Sequence, residues 1–307
     1  MIEATAKVWQ HGAMKHFIPA LLALPLTALV ACAAPEETAP PPAPEVTTVD
    51  HSSKFVWPRS YEYMPEGATL VFSATLDWRH DSGIAGAQAF WSRESDENGS
   101  GIFISEDARI FSDENLTKFD VIVLNSATGK VLNGDQQEAL QRFVEEGGGL
   151  IAQHAAGDSS LAETWPWWDT QFGTTFVSHP FDPQFQTADV VTLAGEHPVM
   201  AGIGAKFSHS DEWYTFTGPI GGDVVVLAGL DESTYSPLNK VYGVEDLRMG
   251  PEPTDHPIIW AKCPGNGKIV YSALGHKADA YDSETHKKLL RNAMAWVRAE
   301  SDAGCPK

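Results

Sequence analysis

Short apolar runs alternate with amphipathic stretches through the first half of the chain. Residues 69–74 (Thr69, Leu70, Val71, Phe72, Ser73, Ala74) read as a buried strand, and 101–105 and 119–125 as two more. A helix is predicted to start near Ile84, capped by Asp81 or Ser82. Residues 135–146 place Leu140, Phe143 and Val144 on one face of a helix, which ends at Gly147, Gly148 and Gly149. Glycine suits the left-handed turn that closes a helix. Leu150 to Gln153 is then a fourth apolar strand. Continuous apolar runs separated by helical patterns predict a parallel sheet with covering helices.

The second half is richer in strands, with candidates at 189–193, 211–216, 224–229, 258–262 and 268–273. Residues 284–298 form a closing helix whose inward stripe is Leu289, Leu290, Ala293, Trp296 and Val297. A long polar loop spans 234–255.

The ends of the chain differ from this pattern. Met14, Lys15 and His16 precede an apolar stretch, 17–30, too short for a comfortable membrane span. Met14 reads as the natural initiator. Leu29, Val30, Ala31 and Cys32 resemble a bacterial lipobox, which implies cleavage before Cys32 and acylation of its thiol. Residues 33–49 are proline-rich and extended, a tether rather than a fold. The expected organisation is therefore a signal segment (1–32), a tether (33–49), one α/β domain (50–300) and a short tail (301–307). The expected location is the bacterial cell envelope, lipid-anchored, with the domain in the periplasm or at the surface. A net charge of −20 argues against nucleic acid and against anionic lipid headgroups, so any membrane contact is through the lipid alone. Of three cysteines, Cys263 and Cys305 remain after Cys32, and export permits a disulfide between them without requiring it.

Polar residues gather where the predicted strands end, and ligands in open α/β sheets bind beyond those ends. His80 follows the first strand, Asn125 the third, Gln153 and His154 the fourth, and His276 the last. Asp211, Glu212, Trp213 and Tyr214 are predicted to open a later strand. His179 follows an aromatic segment that includes Trp167. Imidazole titrates near neutral pH, so His154 and His276 are candidate acid/base groups, with Glu212 orienting a ring. His80, Asn125, Gln153, Trp167, His179, Asp211, Trp213 and Tyr214 are candidate substrate contacts. Alternatively His80, His154 and His276, with Glu212, supply the nitrogen and oxygen ligands that a divalent metal such as zinc accepts.

Taken in order, these motifs resemble the ThuA-like (trehalose-utilisation) family. The resemblance runs from Thr69 to Trp296 and rests on Arg79-His80-Asp81, the glycine-rich run into Gln153-His154-Ala155-Ala156, Trp165-Pro166-Trp167-Trp168, Asp211-Glu212-Trp213-Tyr214, Asp255-His256-Pro257 and Leu274-Gly275-His276. It implies a flavodoxin-like, class I glutamine amidotransferase-like three-layer sandwich with a mostly parallel central sheet. Amidotransferases carry a cysteine on the turn after a central strand; here that turn carries His154, and Cys263 lies in a strand-like run elsewhere. Glutaminase chemistry is therefore not implied. The resemblance implies a carbohydrate ligand, a disaccharide or keto-sugar. Two readings follow: an enzyme using histidine acid/base groups or a histidine-bound metal, and a non-catalytic sugar-binding lipoprotein.

Overall fold

The structure, a computed structural model, describes residues 50–162, 165–218, 220–241 and 243–306. The predicted export signal, Cys32 and the tether lie outside the described residues. Among those described, no helix is long and apolar enough to cross a membrane.

The first half builds the parallel part. It runs β1 (Ala68–Phe72), α1 (Asp81–Asn98), β2 (Ile102–Ser105), α2 (Asp113–Leu116), β3 (Phe119–Asn125), α3 (Gly134–Glu145) and β4 (Gly149–Gln153). α1 starts earlier than its pattern suggests. His80 occupies the cap position, Asp81 pairs with Arg79 instead of capping, and the Ser82 hydroxyl accepts the Ala278 N–H. α3 is closed at its start by a reciprocal box between Asn133 and Gln136.

The second half runs α4 (Pro166–Phe172), β5 (Phe176–Ser178), β6 (Phe185–Thr192), β7 (Lys206–Glu212), β8 (Thr215–Phe216), β9 (Val225–Asp231), β10 (Leu238–Asn239), β11 (Glu245–Asp246), β12 (Pro257–Lys262), β13 (Lys268–Ser272) and α5 (Glu284–Arg298). The strand expected at 211–216 is corrected: Asp211 and Glu212 close β7, and only Thr215–Phe216 continues beyond, paired with β5. β7 reads Lys-Phe-Ser-His-Ser-Asp-Glu and sits at the sheet edge, so it lacks the apolar run of a buried strand.

The main sheet has nine strands in the order β2-β1-β3-β4-β13-β12-β9-β6-β7. The first five are mutually parallel. Their 2-1-3-4 start, completed by β13, is the flavodoxin-like order. The remaining four extend the sheet antiparallel. α1 and α5 are tied by the Glu94–Arg291 ion pair and α2 and α3 by Arg142–Asp113, which gives the two covering layers of the predicted sandwich. α5 buries its predicted stripe, including Leu289, Leu290, Ala293, Trp296 and Val297. Cys263 lies just beyond β12 and is disulfide-bonded to Cys305, joining the tail to the sheet.

Candidate functional site

Three of the four central groups come from loops at the carboxyl ends of parallel strands. His80 precedes α1 after β1, His154 follows β4 directly, and His276 follows β13. Glu212 is the last residue of β7. β7 lies five places from β4 in the sheet, so its end must curl back over the parallel strands to bring Glu212 there. One ligand-capable atom from each of His80, His154, Glu212 and His276 lies within 4.8 Å of all the others.

His154 sits at φ 47, a left-handed conformation unusual for a residue with a side chain. Such a position costs on the order of 1–3 kcal/mol and persists only where surroundings enforce it. Here the ring Nδ1–H donates to the Ala273 carbonyl at 2.8 Å, and the Tyr271 hydroxyl donates to the His154 carbonyl at 3.0 Å. With Nδ1 so engaged, the Nε2 lone pair faces inward. It accepts from the Tyr214 hydroxyl at 3.1 Å and lies 3.0 Å from His276 Nδ1.

His276 is placed by its backbone. Gly275, at φ 119, makes the turn, and Gly83 in the first turn of α1 lets that helix approach closely; a Cβ at Gly83 would collide with the carbonyl oxygens of Gly275 and His276. Asp211 accepts both loop N–H groups, Gly275 at 2.7 Å and His276 at 3.1 Å, and the N–H of Glu212 at 2.9 Å.

Glu212 divides its oxygens between two sets of partners. Oε2 faces His276 Nδ1 at 3.0 Å and His154 Nε2 at 3.5 Å. Oε1 accepts from the Gln184 side-chain amide at 2.6 Å and faces His179 Nε2 at 3.1 Å. Burial alone would raise this carboxyl, but the imidazoles of His154 and His276 beside it outweigh burial and hold Glu212 well below the ordinary range. Burial likewise opposes charging of His154, yet Glu212 and Asp211 leave it raised. His80 is pushed down to about 3, first by burial and then by its neighbouring histidines. Its Nδ1 is buried without a hydrogen-bond partner.

The structure therefore brings together His80, His154, Glu212, His276, Tyr214 and His179. Asp211 stands beside them but is spent on the backbone, a positioning role and not a substrate contact. Four other candidates are corrected. Asn125 is fully buried and donates to Ser73 Oγ and the Ile84 carbonyl. Gln153, also fully buried, links Trp91 to Tyr281. Trp213 is a core residue whose indole N–H donates to the Gln186 carbonyl. Trp167 stacks on Trp165 and donates to Glu145 at the far end of α3. Gln184 and Tyr271 are not among the residues that the sequence singles out. Tyr271 is one more aromatic residue in a buried strand, and Gln184 lies in a loop without a telling pattern.

The ThuA family, described as trehalose utilisation, matches residues 68–297. No curated protein matches the sequence. Among solved structures, a ThuA-like protein from Bacteroides uniformis is similar at 26% identity with a TM-score of 0.64, the match covering 79% of this chain and 95% of that one. A second, from Parabacteroides merdae, is 17% identical with a TM-score of 0.58, covering 76% and 91% respectively, and supports the fold. With the family match extending from β1 through α5, the chain belongs to the ThuA-like, trehalose-utilisation family.

Proposed function

We propose that the protein is a carbohydrate-processing enzyme whose reacting centre is a divalent metal, zinc-like in its preferences, held by His80, His154, His276 and Glu212. The observation that carries this reading is the donor set itself: three imidazoles and one carboxylate with ligand atoms within 4.8 Å of one another. Ligands about 2.0–2.1 Å from a tetrahedral zinc lie roughly 3.4 Å apart, so the set needs only a modest contraction. The unpartnered, buried Nδ1 of His80 is a donor group awaiting a partner. The outer contacts fit as well. Ligating histidines commonly donate their second N–H to a carbonyl, as His154 does to Ala273, and ligating carboxylates are themselves hydrogen-bonded, as Glu212 is by Gln184.

A metal there would polarise a sugar carbonyl or hydroxyl oxygen and lower the pKa of a bound water. The chain's own residues do the rest. Asp211 fixes the His276 loop, and the Ala273 carbonyl, by taking the Nδ1–H of His154, turns its other nitrogen inward. The family description, trehalose utilisation, supports a carbohydrate as the ligand, and we take a disaccharide or keto-sugar as the substrate.

Metal analysis of protein purified without metal-affinity resin tests the reading. About one divalent ion per chain is expected, lost together with turnover of a disaccharide or keto-disaccharide in the His154→Gln/His276→Gln double variant. Sugar binding that survives in this variant, with no metal in the wild type, would instead favour a non-catalytic sugar-binding protein.

A further inference from the structure

Two exposed phenylalanines touch the site. Phe185 opens β6 directly across from Glu212 in the antiparallel register. Its ring centroid lies 4.9 Å from that of His276, edge-on, and 36% of the residue remains exposed. Phe181 lies 4.2 Å from His179, the ring that holds Glu212, and is 43% exposed. The Lys277 ammonium sits 4.4 Å from the Phe185 centroid and is paired with Asp279, so the phenyl ring is fixed between a cation and an imidazole. The loop that carries His80 adds Trp78, 72% exposed, its carbonyl held by the Thr128 hydroxyl.

A single exposed apolar residue needs no explanation. Large rings packed against His276 and His179 and left partly in water are different. They offer apolar surface where a ligand at the cluster would extend. We propose that Phe181 and Phe185 form a specificity-determining platform for the second ring of a disaccharide, its C–H face packed on the exposed parts of the two phenyl rings while the first ring lies at the His80, His154, Glu212 and His276 centre. Lys277 supplies a donor to hydroxyls on the same ring. This rests on the sugar reading above. A monosaccharide would fill the centre and leave the platform wet, so the selectivity for two rings over one comes from these residues.

Calorimetric titration of the zinc-loaded full chain with trehalose, maltose, cellobiose and glucose tests the platform. At least one disaccharide is expected to bind about tenfold or more tightly than glucose. Phe185→Ala and Phe181→Ala should each weaken that disaccharide about five- to tenfold, the size of an aromatic packing contact, with glucose affinity, zinc content and unfolding midpoint unchanged. Phe185→Tyr should retain it. Equal binding of one- and two-ring sugars, disaccharide affinity indifferent to both alanine variants, or a zinc-loaded protein that binds none of the disaccharides overturns the platform and leaves the metal reading standing. A wild type that binds no metal yet keeps a disaccharide preference dependent on Phe181 and Phe185 sinks the metal reading and leaves the platform.

Discussion

Asp211 and His276 are joined through the backbone: a buried carboxylate at the end of an antiparallel edge strand accepts the N–H of a histidine that follows a central parallel strand, at 3.1 Å. The same carboxylate takes the Gly275 N–H at 2.7 Å, and burial, which would raise it, is outweighed so that Asp211 titrates below its ordinary value. One side chain thus ties the two halves of the sheet together at the site. Asp211→Asn keeps one acceptor and replaces the other with a donor facing an N–H. The expected loss is about 1–3 kcal/mol in urea unfolding, with metal affinity down about 10–100-fold in a chelator competition. Unchanged metal affinity would mean that the Gly275–His276 loop is held by something other than Asp211.

Gln184 acts on Glu212 from the outside. Its amide donates to Oε1 at 2.6 Å while Oε2 stays turned toward the histidines. Removing it frees the carboxylate to rotate and leaves the four proposed ligands in place. Gln184→Ala is expected to lower metal affinity about 10–100-fold, less than Glu212→Gln, and to leave the far-ultraviolet circular dichroism unchanged. Equal effects of the two variants would place Gln184 among the groups that hold the fold.

How far the site is legible in the sequence follows from where each strand lies. Val121, Ile122, Val123 and Leu124 are wholly or almost wholly buried, as parallel strands covered on both faces are, so β3 and its neighbours announce themselves as apolar runs. His80 and His154 stand out because they follow such runs. Asn125 and Gln153 follow them too, and pair directly across β3 and β4. Residue type alone does not say that their amides turn inward to Ser73, Trp91 and Tyr281. The antiparallel half is harder to read. β6 and β7 mix polar and apolar residues, so the pattern puts Asp211 and Glu212 at the start of a strand when they end one. That Glu212 reaches the histidines depends on how the sheet curls, and Gln184 on the pairing of β6 with β7; neither leaves a local pattern.

Buried histidines set an acid limit on stability. His286 is fully buried in α5, with Nδ1–H donating to the Ala280 carbonyl, and burial pushes it down to about 4. Its folded pKa is below the unfolded 6.5, so the unfolded chain binds the extra proton between these values. Stability from this group is complete above about pH 6.5 and is lost as pH falls toward 4. One proton is worth ~1.4 kcal/mol per pH unit, so His286 alone contributes a fall of about 3 kcal/mol. Urea unfolding of metal-stripped protein at pH 7, 6 and 5 should show this slope, and His286→Gln, which can still donate to Ala280, should reduce it by about one proton. An identical slope in the variant would assign the acid sensitivity to other groups.

The Cys263–Cys305 bridge closes 42 residues of sequence and returns the tail to the end of β12. Cross-linking a loop of that length restricts the unfolded chain by about 4 kcal/mol in the entropy model, and native bridges commonly deliver about 2–4. Other contacts also hold the tail. The Trp296 indole donates to the Ala303 carbonyl at 2.7 Å and Lys268 to the Ser301 carbonyl at 2.9 Å. Part of the tail should therefore stay docked when the bridge is gone. The bridge also lies at the end of the sheet away from the histidines, beside Gly265, Asn266 and Lys268 at the start of β13. Cys263→Ser/Cys305→Ser is expected to lose about 2–4 kcal/mol in urea unfolding, and reduction of the wild type should give the same loss. Metal content and disaccharide affinity should stay at wild-type levels in both. A loss of metal on reduction would show that the tail supports the site through the sheet, and a change in stability below about 0.5 kcal/mol would show that the hydrogen bonds of Trp296 and Lys268 hold it alone.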